Sequence, residues 1–425
     1  MAQLIGSASP VHARDRVFSG FGELVEDPHG VIDLPPGFQY TAFSREGDAL
    51  TSAGFVPSDH DGMAAFPAGP AGIWLVRNHE ISQGDVDNGK IPVIAGDGCS
   101  AYDPEAPGGT STLLVGFDRR LRTHQVSLAG TLNNCAGGPT PWRTWLSCEE
   151  STQTLGKPHG YVFEVDPRCG GDARPILAMG RFGHEAVAFD RRGVAYLTED
   201  AGSPYGCLYR FLPKRPLGGR ASLHEGGALQ AAAISGVDGD LSSVQQPGTV
   251  LPVRWVSVRN ANPRDVDAPV REQVIREGAT PIPKAEGVWT DYDGRVWMTS
   301  SFANGPGVGS PSAAAHSGQI WRYDPEEETL TLVVLVPTGS PWDGPDNITA
   351  SPHGFALACN DGAGDQYLMS INEGGDIHPF AQNIFNDSEF AGATFSPTGR
   401  TLFVNIQRPG LTLAIWGPWC GAAGH

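Results

Sequence analysis

Six times along the chain a glycine or a turn is followed by a short apolar run and then a polar end: AGIWLVRNHE (71–80), PWRTWLSCEE (141–150), RGVAYLTED (192–200), DGRVWMTSS (293–301), HGFALACND (353–361) and TGRTLFVNI (398–406). Apolar runs this short, bounded by turn signals, read as buried strands rather than helices. Most have a partner just upstream. HEAVAFDRRGVAYLTED, AEGVWTDYDGRVWMTSS, PDNITASPHGFALACND and EFAGATFSPTGRTLFVN each read as strand, tight turn, strand. The turns RRG, YDG, SPHG and SPTG carry the residues such turns need. Third strands follow at GYVFEVDP, GCLYRFLP, GQIWRYDP and DQYLMSIN, and fourth strands at RPILAMG, TLVVLVP and HPFAQN.

Four antiparallel strands repeated in tandem are the signature of a β-propeller. The expected fold is all-β: one six-bladed propeller domain over residues 1–425, with blades at roughly 55–130, 131–180, 181–280, 281–338, 339–383 and 384–418. After LTLAIWGPW the last blade lacks a strand, which VIDLPPGFQYTAFSR (31–45) can supply, closing the ring. Residues 81–108 and about 214–280 fit no blade strand and read as insertions on one face, the second partly helical near REQVIREG.

Composition supports this reading: 56 Gly and 35 Pro favour short strands joined by turns, and 40% hydrophobic residues suffice for a large core. A net charge of −18, from 29 basic and 47 acidic residues, argues against nucleic acid or an anionic membrane as partner. No apolar run approaches the roughly 18 residues of a membrane-spanning helix. The start, MAQLIGSASPVHARDRVF, has no long apolar stretch and no twin arginine, so no signal peptide is expected, and cytoplasmic and exported locations both stay open. The seven cysteines lack CxxC spacing, which suggests neither a zinc ribbon nor a complete disulfide framework. Cys148, Cys207 and Cys359 fall in or beside apolar runs and read as packing residues.

The repeat also places carboxylates. In a blade the first strand lines the central channel and the second returns beside its start. Glu185 begins one such hairpin, and Glu199-Asp200 end it. Glu286 and Asp346 keep the same eight-residue distance before their turn glycines, with Asp361 ending the hairpin of Asp346 and Glu389 two residues further out on the same strand face. Glu80 and Glu149-Glu150 end the second strands of the first two blades. A solvated strand end is the ordinary explanation for any one of these. Several converging on one channel end would repel and raise one another's pKa values, a conflict that hard cations remove. Cys135, in CAGGPTPWRTWLSCEE, adds a soft ligand that calcium does not choose; if it is not a buried free thiol it points to a transition metal such as iron. His79, His184 and His353 flank these motifs and read as hydrogen-bonding supports rather than ligands. GPGVGS (305–310) lacks the Lys and the strand-to-helix context of a phosphate loop.

NNCAGGPTPWRTWLSCEE, RNHE, GRFGHEAVAFD, the KAEGVW segment, PDNITASPHG and EFAGATFSPTGRTLFVNIQRPG, in order from about residue 30 to 415, resemble the PhoX family of bacterial alkaline phosphatases. The resemblance implies a six-bladed propeller with Fe(3+) and Ca(2+) in the channel mouth, hydrolysing phosphate monoesters and some diesters. It makes Cys135 the iron-binding thiolate. It places Glu80, Glu149 or Glu150, Glu185, Glu286 and Glu389 at or near the metals, with Asp346, Asn347 and Asp361 as further assignments. Two residues depart from the family pattern. Lys284 stands two before Glu286, where members usually carry arginine, so a phosphate oxygen would meet a point charge rather than a fork. Asn360 precedes Asp361 where an acidic pair is expected.

The expected function is therefore metal-dependent hydrolysis of small-molecule phosphate esters by a monomer. Glu286 holds a metal, Lys284 steadies the phosphoryl oxygens, and the cluster rather than a Ser or Thr supplies the attacking oxygen. Two other classes share the scaffold: a calcium-dependent propeller lactonase or esterase, which needs no thiolate, and a non-catalytic calcium-stabilised binding propeller, which turns over nothing.

Overall fold

Each apolar run becomes a strand: Ile73–His79, Trp145–Glu149, Ala195–Glu199, Val296–Ser300, Ala356–Asn360 and Leu402–Ile406. Each pairs antiparallel with an upstream strand, in order His60–Pro67, Asn134–Pro139, His184–Phe189, Ala285–Thr290, Pro345–Ala350 and Phe390–Phe395. These strands are buried on both faces, which is why their sequences run apolar without alternation. The structure, a computed structural model, describes residues 20–96, 101–168, 170–202, 204–302 and 316–419. The N-terminal stretch 1–18, in which no signal peptide is expected, and GPGVGS lie outside the described residues.

The hairpins extend into meanders. Four sheets have four or five strands, and a ninefold sheet joins the meander from His184–Phe189 to Gly227–Ile234 with that from Ala285–Thr290 to Thr329–Pro337. Val250–Ser257 makes that join by pairing with both outer strands. The first strands of the meanders lie side by side in cyclic order around one axis, so the arrangement is propeller-like. No helix among the described residues is long and apolar enough to cross a membrane.

Three expectations need correction. Gly227–Ile234, within the stretch read as an insertion, is an outer sheet strand, and only Val270–Arg276 there is helical in the expected place. RPILAMG holds a turn of 3-10 helix at Leu177–Met179, and the outer strand of its sheet is Gly170–Pro175 instead. That strand has no fully buried residue, so it carries no apolar run to read. The N-terminal segment also divides. Gln39–Arg45 pairs with Leu411–Trp416 and completes the last sheet, whereas Ile32–Asp33 pairs with Gln382 and Asn383 of the neighbouring one. Pro35 and Pro36, which lack N–H donors, interrupt the segment between the two.

The seam between the last and first sheets is unusually polar. Arg77, fully buried, donates to Ser44 Oγ (3.0 Å), Thr412 Oγ1 (2.6 Å) and Ser111 Oγ (3.3 Å), with the His124 ring at 3.2 Å. Burial, reinforced by Arg77, holds His60, His79 and His124 well below the ordinary histidine range, so all three stay neutral. Thr412 Oγ1 in turn donates to Asn405 Oδ1 at 2.7 Å. Thr412→Val removes an acceptor from a buried cation and a donor from a buried amide. It is expected to lower the unfolding free energy by about 1.5–3 kcal/mol, read as a lower urea midpoint at an unchanged slope.

Candidate metal centre

Each first strand slips register near its start: between His60 and Met63, Asn134 and Gly137, His184 and Val187, Ala285 and Val288, Pro345 and Ile348, and Ala391 and Thr394. A bulge re-aims the side chain it carries. Eight residues before the left-handed turn residues Gly69, Arg143, Gly193, Gly294, Gly354 and Gly399 stand Asp61, Cys135, Glu185, Glu286, Asp346 and Ala391. Five of these six equivalent positions thus hold a metal-ligating type. Beside them the strands approach so closely that side chains are excluded. A Cβ on Gly62 would lie 2.6 Å from Ala136 Cα, and one on Gly287 2.7 Å from the Asp346 carbonyl.

A second tier comes from the residue that follows each second strand: Glu80, Glu150, Asp200, Ser301, Asp361 and Gln407. The residue before each points the opposite way, as strand alternation requires. This corrects the reading of Glu149. Its carboxylate accepts from His159 Nδ1 (2.6 Å) and from the backbone N–H groups of Leu132 (2.9 Å), Gly160 (2.8 Å) and Tyr161 (3.0 Å). It is thereby committed away from the cluster, and His159 reaches on to Asp103 at 3.3 Å. Glu199 likewise turns outward, to Tyr209 and Arg271.

A third tier lies two residues before the bulge positions: Asp59, Asn133, Gly183, Lys284, Gly344 and Glu389. Asp59, Asn133 and Lys284 are non-glycine residues held at left-handed φ of 45°, 46° and 47°, a strain that clusters at functional rims.

The tiers converge. Ligand atoms lie within 4.8 Å of one another in four groups: Asp61, Glu80 and Cys135; Cys135, Glu150 and Glu185; Glu185, Glu286 and Asp346; Asp346, Asp361 and Glu389. Cys135, Glu185 and Asp346 each belong to two groups, so the four form one continuous arc. Cys135 Sγ is 3.2 Å from Glu185 Oε1 and 4.0 Å from Asp61 Oδ1. Burial first, then the neighbouring carboxylates, pushes Asp61 up to about 7 and Glu80 up to about 8. The same causes push up Glu150, Glu185, Asp346 and Glu389, and lift the Cys135 thiol well above its usual range. Glu286 rises to about 7 through burial and Asp200, opposed by Lys284. Buried carboxylates gathered in this number, with Lys284 paired to Glu286 and Asp200 at one place, are oxygen donors of the kind that hard cations take, and the thiol at the shared corner of two groups offers a softer donor.

Polar groups hold the arc in shape. Gln407 Nε2 donates to Asp61 (2.9 Å) and Glu80 (3.0 Å), and Ser301 Oγ to Glu286 (2.6 Å). Asn347 lies beside the arc rather than in it. Its Oδ1 accepts from the Gly392 N–H (2.7 Å) and its Nδ2 faces Asp346 (3.1 Å). Asn360 likewise turns away, accepting from the Tyr367 N–H. Lys284 Nζ sits 2.8 Å from Asp200 and 3.0 Å from Glu286. His79, His184 and His353 hydrogen-bond to Ser58, Gly180 and Gly399 carbonyls respectively. Asp61 stands in the arc, and Ser301, Gln407 and Asp200 contact its carboxylates or Lys284; the sequence left these four unassigned. The eight-residue count to Gly69 could have found Asp61, and the position after each second strand could have found the others.

The family described as alkaline phosphatase PhoX matches residues 19–410. No curated protein matches the sequence. Among solved structures, Pseudomonas fluorescens PhoX in complex with vanadate, a transition state analogue, superposes with a TM-score of 0.70 at 19% identity, over 93% of this chain and 97% of that one. A gluconolactonase from Xanthomonas campestris superposes with a TM-score of 0.46 at 12% identity, over 95% of this chain and 100% of that one. A streptogramin B lyase gives 0.45 at 12% identity, over 90% and 98%.

Proposed function

The chain belongs to the PhoX family of alkaline phosphatases, metal-dependent hydrolases of phosphate esters, and from that premise we propose that its channel mouth holds a mixed Fe(3+) and Ca(2+) cluster at which phosphate monoesters, and some diesters, are cleaved. The ninefold sheet then counts as two blades fused through Val250–Ser257, which makes six. The observation that carries the metal reading is the arc itself, with a thiol at the junction of its first two ligand groups. Asp61, Glu80, Cys135, Glu150 and Glu185 are the residues that would hold iron. Glu286, Asp346, Asp361 and Glu389 offer oxygen alone, which suits calcium.

When bound, such a cluster supplies Lewis acidity toward phosphoryl oxygens and offsets the charge that develops on the leaving oxygen. The chain's own residues supply placement. Gln407 and Ser301 fix ligand carboxylates, and the fully buried Cys148, Cys207 and Cys359 pack the sheets behind them. Lys284, 3.0 Å from Glu286 and partly exposed, is the cation assigned to a phosphoryl oxygen.

The test is elemental analysis together with p-nitrophenyl phosphate hydrolysis. Wild type is expected to contain iron and calcium, to be coloured, and to hydrolyse the ester. Cys135→Ser is expected to bleach the visible band and to lose iron in larger proportion than calcium. A colourless wild type that holds only calcium at full occupancy would overturn the iron assignment and leave Cys135 a packing residue.

A further inference from the structure

We infer that Arg408 is a specificity-determining residue that receives a second anionic group of the substrate, so that phosphate esters bearing a carboxylate near the phosphate are favoured over esters of neutral alcohols. The inference rests on the phosphatase reading and adds a substrate class to it. Arg408 directly follows Gln407, whose amide binds Asp61 and Glu80, so its backbone is fixed at the edge of the arc. Its N–H donates to Ser388 Oγ (2.9 Å), and its carbonyl accepts from Asn386 Nδ2 (2.7 Å).

The side chain is another matter. It is 63% exposed, and among the described residues its one carboxylate neighbour within 4 Å is Asp59, 3.9 Å from Nε. That same Asp59 oxygen already receives the Lys90 ammonium at 2.7 Å. The other cations of the rim are engaged: Lys284 by Asp200 and Glu286, and Arg271 by Glu199 and the Pro204 carbonyl. Among the described residues Arg408 is the rim cation whose guanidinium fork is left to bind something else.

Its place at the mouth follows from its neighbours: the adjoining Gln407 binds Asp61 and Glu80 of the first ligand group, and its own Nε lies 3.9 Å from Asp59. Lys284 stands 3.0 Å from Glu286 of the third group. A substrate whose phosphoryl group is held on the arc beside Lys284 thus meets in Arg408 a second cation at the same mouth. A guanidinium binds a carboxylate or phosphate through two parallel N–H bonds, and an acidic mouth gives an incoming polyanion few other favourable contacts.

The experiment compares glycerol 3-phosphate with glycerate 3-phosphate, which share the phosphate and differ in a hydroxymethyl against a carboxylate. On metal-loaded protein, wild type is expected to show the higher kcat/KM for glycerate 3-phosphate. Arg408→Gln is expected to reduce the ratio of the two values by about 10- to 100-fold, the worth of one charge-assisted pair. Arg408→Lys is expected to retain part of the ratio. A wild type without the preference, or an equal loss on both esters in Arg408→Gln, overturns the inference. If wild type hydrolyses neither ester, the phosphatase reading is what fails. Equilibrium dialysis of the two labelled esters against wild type and Arg408→Gln then decides the inference by the same ratio, now of affinities.

Discussion

Glu185→Gln is expected to abolish phosphatase activity in a protein that still folds, because Glu185 is the carboxylate shared by the middle two ligand groups of the arc. It joins Cys135 and Glu150 on one side to Glu286 and Asp346 on the other. Losing an outer partner of a metal ligand typically costs about 10–100-fold in metal affinity. Losing a ligand shared by two groups is expected to exceed the upper end of that range, so iron and calcium contents both fall on elemental analysis. Stability separates this from misfolding. Glu185 is fully buried among carboxylates that repel it, and glutamine keeps its shape without its charge. The metal-stripped variant is expected to melt at or above metal-stripped wild type. With metals added, wild type gains more, because binding to the native state alone raises stability. A Glu185→Gln protein that keeps its full metal content and turnover would remove Glu185 from the ligand set.

The sequence shows some tiers of the site and hides others for identifiable reasons. Glu185, Glu286 and Asp346 were legible because each stands eight residues before a turn glycine in a clear apolar hairpin. Asp61 obeys the same count to Gly69, but its turn, PAGPAG, offers a second glycine at Gly72, which confuses the count. Cys135 also obeys it, yet its turn position is Arg143 at φ 69°, so the thiol was found by its chemistry rather than its spacing. Adjacent acids were ambiguous. Glu149 and Glu150 differ only in which face of the strand they take, and the register that decides this comes from pairing with Asn134. The outer strand Gly170–Pro175 lacked the apolar run that marks central strands, the run in Gly227–Ile234 is mostly alanine, a weak strand former, and contacts between meanders, such as Lys284 with Asp200, have no trace in local sequence.

Lys284→Ala is expected to cut kcat on p-nitrophenyl phosphate by roughly 10²–10³, the loss seen when one donor to a transition state is removed. Burial opposes charge on this lysine, but Glu286 and Asp200 outweigh it and raise its pKa above the ordinary lysine value, so it is a cation throughout the working range. An ammonium has three N–H donors, and two are directed at Asp200 and Glu286. With the side chain 42% exposed, the third remains for a phosphoryl oxygen. Two roles are open to such a residue, and metal content tells them apart. If Lys284 binds substrate, its removal takes a positive charge from beside the ligand carboxylates, so metal occupancy holds or rises while turnover falls. If it mainly positions Glu286 and Asp200, occupancy falls with turnover, and the assignment to substrate is wrong. Lys284→Arg keeps the charge and provides a planar fork. It is expected to recover most of the lost kcat, whereas Lys284→Gln, which keeps a donor without the charge, recovers little. Equal activity in Lys284→Ala and wild type would leave the lysine a partner of two carboxylates and nothing more.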